Sequence, residues 1–156
     1  MLVTNDDGVA APGIDTLVSG INAGQNLGPV VNISGTVGAA RAAAQRGIPA
    51  LAVSQGLGEP PDFASGVRFA VKWVKSHRKQ LAHGPSSDTP LTEIDNLNVP
   101  TCPSGAVRGK ADVAAATSAD FAATPNCAST LQHPADDVQA FQNGYASLST
   151  IPATPG

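Results

Sequence analysis

Between Ala39 and Ser54 the chain passes from helix to buried strand with almost nothing in between. Ala39-Ala40-Arg41-Ala42-Ala43-Ala44-Gln45 is alanine-rich and runs into Arg46-Gly47, the composition and stop signal of a well-punctuated helix. Ile48-Pro49-Ala50-Leu51-Ala52-Val53 follows at once and is apolar at every position. An unbroken apolar run marks a strand covered on both faces. A helix feeding directly into such a strand is part of a βαβ unit, so the expectation is an α/β fold: a mostly parallel sheet with helices on both faces.

The same stretch suggests chemistry. Ser34 or Thr36, flanking Gly35, would sit at the helix N-terminus, where unbonded N–H groups and the helix dipole attract an anion such as phosphate. Plain capping accounts for these residues equally well. At the chain start, Leu2-Val3-Thr4 reads as a short buried strand ending in Asn5-Asp6-Asp7-Gly8. Ligands of open α/β sheets bind beyond the carboxyl ends of strands, and hard divalent cations take carboxylate oxygens together with substrate phosphate. Asp6 and Asp7 are therefore candidate ligands of a magnesium-like ion; the alternative is a solvated Asx-rich turn. Ser19 to Gly28 holds three glycines and two asparagines in ten residues, and is expected to be a loop. Its glycines permit close approach to a ligand, and Asn22 and Asn26 offer neutral polar groups.

Farther on, Asp62 is expected to cap a helix whose inward face is Phe63, Val67, Ala70, Val71 and Val74, with Trp73 at its edge and Lys72, Lys75, Arg78 and Lys79 solvated. His83 to Pro90 reads as a polar linker. Ile94 to Val99 forms a strand, Val107 to Ala115 a weaker peripheral one, and Thr117 to His133 a loop. A short helix starts at Pro134-Ala135-Asp136-Asp137 and stops at Gly144, before a half-buried strand from Tyr145 to Ile151. His77, His83 and His133 stand at no metal or triad spacing and read as surface residues.

Charged residues are 13% of the 156 and the net charge is −3, which gives no basic field for duplex nucleic acid and no polybasic membrane anchor. No apolar run approaches the roughly 18 residues of a membrane span. Met1 leads straight into the first expected strand without a signal peptide, which fits a cytoplasmic location. Cys102 and Cys127 are either one bridge or two free thiols; a bridge would favour an exported protein.

Three segments taken together, Leu2–Gly8 with Ala11-Pro12-Gly13, Ser19–Gly28, and Ser34–Arg41, closely resemble the SurE family of survival-protein phosphatases, and Gly47–Ser54 continues the likeness. Asn98-Val99-Pro100 and the segment from Asp137 to Ile151 are similar to later family strands. The resemblance implies a three-layer Rossmann-like domain over residues 1–156, with the motifs in 1–82 and C-terminal strands, a short helix and a tail in 94–156. It implies a metal-dependent 5′/3′-nucleotidase that hydrolyses nucleoside monophosphates and assembles as a dimer or tetramer. The metal (magnesium, manganese or similar) would be held by Asp6, Asp7 and Asn22, with Asp6 as nucleophile or base. Asn26 and Ser34-Gly35-Thr36 would line the phosphate pocket.

One departure from the family stands out. Family members carry a long stretch between the Ala-Pro-Gly loop and the Ser-Gly-x-Asn loop, whereas here Asp15 is followed at once by Thr16-Leu17-Val18-Ser19. Parallel strands need a crossover of about a dozen residues or more, and Gly8 to Asp15 is eight. The chain reads as internally shortened, so a non-catalytic remnant with weak metal or nucleotide binding, or an oligomer-supporting role, stands as the alternative function.

Overall fold

The computed structural model describes residues 16–81, 89–118 and 124–156. The expected first strand, the Asp6-Asp7 pair, the short connection to Asp15 and His83 lie outside the described residues. Strand β2 (Ala50–Gln55) is buried at every position, and the other elements are laid around it. β1 (Leu17–Ala23) and β3 (Glu93–Val99) pair with it in parallel on either side. β4 (Gly109–Asp112) and β5 (Tyr145–Pro152) complete a five-stranded sheet of order β1-β2-β3-β5-β4. β5 runs antiparallel to β3 and parallel to the edge strand β4.

Alternation along β2 sorts the two helical layers. Ala50 and Ala52 face α1 (Gly35–Ala44), whose Val37, Ala40, Ala43 and Ala44 pack on them with Ile48, Ile94 and Ile151. Small residues on both sides let helix and sheet approach closely. Leu51 and Val53 face α2 (Phe63–Leu81) and pack on Phe69 and Trp73 with Leu97 and Val99. A third helix, α3 (Asp137–Gln142), is capped by Asp136, whose carboxylate accepts from the Gln139 amide at 2.8 Å. The α/β fold with helices on both sheet faces is thus as the sequence implied.

Several local expectations are corrected. Ser19 to Ala23 is strand, not loop, because β2 supplies parallel partners out to Ala23 opposite Gln55. The register shifts between Ser19 and Asn22, and Gly20 sits in that irregularity at φ +125°, its backbone pressed against the Val53 carbonyl where a Cβ would collide. The α2 stripe differs in part: Ala70 and Val74 pack on the core as expected, but Phe63, Val67 and Val71 are 39%, 47% and 43% exposed, while Trp73 is 7% exposed. Phe69 and Trp73, one turn apart, bury larger aromatic surfaces than the aliphatic stripe would. Trp73 Nε1 gains the Asp95 carboxylate at 2.6 Å, and Gly66 lets this face approach Ile21 and Gln55 closely. His77 is no free surface residue, since it stacks on Trp73 with ring centroids 4.3 Å apart. β5 is the half-buried strand expected: four of its eight residues are buried, and it lies between β3 and β4.

Cys102 and Cys127 form a disulfide with Cα atoms 5.8 Å apart, which settles the choice the sequence left open. No helix among the described residues is long and apolar enough to cross a membrane.

Candidate functional site

The parallel strands β1, β2 and β3 end on the same side, and the loops leaving them build the site. Asn22 is the last residue but one of β1, re-aimed by the bulge at Gly20. Its amide nitrogen donates to the Gly24 carbonyl at 2.7 Å, leaving its carbonyl oxygen without a partner among the described residues. Across from it α1 begins. Ser34 is the N-cap, its hydroxyl accepting from the Val37 amide at 3.2 Å and its carbonyl accepting from the Gly38 amide at 2.9 Å. The amides of Gly35 and Thr36 find no acceptor among the described residues, as expected for the first turn of a helix.

Asn22, Gly35 and Thr36 line one open cleft of about 720 Å³ together with Ser19, Gly20 and Phe63. Those lining residues include no cationic side chain. Arg41 does not serve it: its guanidinium donates to Pro152 O at 3.0 Å, Val31 O at 3.2 Å and Asn32 Oδ1 at 3.1 Å, and burial lowers its pKa. Arg41 is a structural cation that ties α1 to the chain's end.

Asn26 is not among the described residues lining the cleft. It is buried, its side-chain amide donates to Ser54 Oγ at 2.7 Å, and its backbone is clamped by β3. Asn98 Oδ1 accepts from the Asn26 amide at 2.7 Å, while Asn96 and Asn98 donate to its carbonyl at 2.9 and 3.1 Å. Two residues after Asn26 the loop is held again: the carboxylate of the fully buried Asp137 accepts from the Gly28 amide at 2.9 Å and from the Ala116 amide at 2.8 Å. Burial pushes the Asp137 carboxyl above its usual pKa, and its amide hydrogen bonds offset this only in part. Asn96, Asn98, Ser54 and Asp137 were not picked out as site residues from the sequence. The signal was there for two of them: Asn96 and Asn98 share the face of β3 that also carries Ile94, and buried polar side chains need partners.

The profile of the survival protein SurE family matches residues 14–123. The chain belongs to the SurE family. The match takes in Asn22, Asn26, Ser34, Gly35 and Thr36, and Asp6 and Asp7 precede it. A 5′-nucleotidase SurE from Leptospira biflexa is 41% identical over 95 residues, covering 60% of this chain and 35% of that protein. The 5′-nucleotidase SurE of Pelobacter propionicus is 44% identical over 95 residues, covering 60% and 36%. The crystal structure of a SurE protein from Aquifex aeolicus superposes with a TM-score of 0.68 at 24% identity, covering 91% of this chain and 60% of that one. The matched region thus spans about a third of the curated SurE relatives. With the SurE structure it shares the α/β fold.

Proposed function

We propose that the chain is a metal-dependent phosphomonoesterase acting on nucleoside monophosphates. The reading is supported by one observation: the end of β1 and the first turn of α1 border one cleft, lined by Asn22, Gly35 and Thr36 among others. A phosphoryl group would accept from those amides, aided by the Ser34 hydroxyl and the helix dipole. The dipole alone contributes only about 0.3–1 kcal/mol for an exposed anion. With no cationic side chain among the described residues lining the cleft, a dianion there calls for a bound cation. The side-chain oxygen of Asn22, without a partner among the described residues, suits a hard divalent ion, whose shell Asp6 and Asp7 would complete. Such an ion, when bound, polarises the phosphoryl oxygens. Asp6 would serve as nucleophile or base, and Asn26 would act by fixing the loop that carries Asn22 and the helix start.

The relatives named above are 5′-nucleotidases, which supports this substrate class. The disulfide favours the exported alternative, since such bridges persist where thiols are not kept reduced.

Phosphate release from adenosine monophosphate with added magnesium or manganese tests the reading. Asn22→Ala is expected to lower kcat/KM at least tenfold, and Asp6→Asn to abolish turnover. The short match to the relatives favours the second reading, a remnant that binds metal or nucleotide without turnover. Absence of phosphate release with every divalent cation tried would select it.

A further inference from the structure

On the α2 side of the sheet the helix does not reach the far edge. α2 packs chiefly on β1, β2 and β3, while the sheet runs on through β5 to β4. Where the cover ends, a cavity of about 390 Å³ opens, within the roughly 300–1,000 Å³ of small-molecule pockets. Its floor is apolar: Leu97 of β3, Leu148 of β5 and Val107, just before β4, all pack in the α2-side core. Buried Phe69 and Trp73 form the helical wall. Trp73 is fixed in place, because its Nε1 donates to Asp95 at 2.6 Å and its ring stacks on His77.

The rim, by contrast, is cationic. Arg68, Lys72 and Lys110 line the cavity, and among the described residues lining it there is no carboxylate. Lys110 is already answered by Asp112 at 2.5 Å. Asp95 is spent as well, since its second oxygen accepts from Thr150 at 3.0 Å. Arg68 and Lys72 form no ion pair among the described residues. Both lie over the Phe69 ring, at 5.4 and 5.2 Å from its centroid, and Arg68 gives one hydrogen bond, to Ser65 Oγ at 3.1 Å. Like charges four residues apart on a helix repel, and here one ring draws them together. An anion held between them removes that repulsion, and the guanidinium fork suits a carboxylate.

We infer that this cavity binds a small organic acid, with its carboxylate shared by Arg68 and Lys72 and its ring or chain laid on Leu97, Val107 and Leu148. The ligand continues the apolar layer that α2 leaves unfinished, so burial and charge act on one molecule. Among the described residues, none that lines this cavity also lines the cleft of Asn22 and the α1 start. The inference therefore stands apart from the proposed phosphatase activity.

Titration of the full chain with benzoate, 3-phenylpropionate and octanoate, read by calorimetry and by the fluorescence of Trp73, tests this. Saturable binding of at least one acid is expected. The amide of that acid, which keeps the apolar body without the charge, and acetate, which keeps the charge without the body, should each bind at least tenfold more weakly. Arg68→Gln with Lys72→Gln, two exposed positions, should weaken the acid at least tenfold while circular dichroism stays unchanged. Lys75→Gln, an exposed lysine of the same helix that does not line the cavity, should leave binding as it was. Absence of saturable binding for all three acids overturns the inference. So does equal binding of the amide, unaltered binding by the double variant, or an equal loss in Lys75→Gln.

Discussion

Replacing Asn98 by alanine is the sharpest test of how the site is held together. Its fully buried side chain makes two hydrogen bonds to the Asn26 backbone, accepting from the amide at 2.7 Å and donating to the carbonyl at 3.1 Å. Asn98→Ala leaves the Asn26 N–H with no acceptor in a place closed to water. An orphaned buried donor costs about 1–3 kcal/mol, and the small void adds to that. The Asn26 carbonyl keeps its bond from Asn96 at 2.9 Å, so its share of the loss is slight. The expected destabilisation is about 2–4 kcal/mol, a large part of the roughly 5–15 kcal/mol that holds a domain together.

Asn96 supplies the control. Asn96→Ala removes one bond to a carbonyl that Asn98 still serves, and it also deletes an Asn96 oxygen that is buried without a partner among the described residues. Its cost should stay near 1 kcal/mol or below. Removing both asparagines orphans both groups of Asn26, so the pair should cost more than the sum of the single changes. Urea unfolding followed by Trp73, the only tryptophan, measures all three, with an unchanged m-value as the check that the transition is the same. Equal losses for Asn98→Ala and Asn96→Ala, or a loss under about 0.5 kcal/mol for Asn98→Ala, would refute the clamp.

The carboxyl of Asp137 titrates above its ordinary value of 3.8, so the folded chain keeps that proton to higher pH than the unfolded chain. Its contribution to stability is therefore most favourable in acid, falls as pH rises from 3.8 through the raised folded value, and levels off above it. Against Asp137→Asn, which does not titrate, the natural chain should lose relative stability across that window; a relative gain with rising pH would show the opposite shift. The Cys102–Cys127 bridge joins residues 25 apart in sequence, and the chain-entropy relation values such a closure at about 3.5 kcal/mol. Cys102→Ser with Cys127→Ser, or reduction of the natural chain, should lower unfolding stability by roughly that amount; two titratable thiols in the unreduced folded protein would contradict the bridge.

The helix from Gly35 to Ala44 and the strand after it were legible because their signals are local: a serine cap, an alanine run, a glycine stop, then unbroken apolar residues. β3 and β5 were legible in the same way. α2 was legible as a helix but not in its orientation. Its sequence carries two apolar stripes at helical spacing, and only the sheet beneath, with Asp95 ready to accept from Trp73, chooses between them. β1 was hidden by Gly20 and Asn22 and by the glycines and asparagine just beyond it, which argue for a loop until β2 provides hydrogen-bonding partners.

The candidate site divides along the same line. Local sequence alone marks Ser34, Gly35 and Thr36 as a helix start able to receive an anion, and sets the α/β class. Tertiary structure decides that Asn22 meets that helix start, that Asn26 is turned inward, and that its loop is fixed by Asn98 and Asp137, respectively 72 residues from Asn26 and 109 from Gly28. Capping and periodicity act within about one helical turn. The partners of a buried amide depend on which distant strands lie side by side, and that follows from burying both faces of the sheet at once.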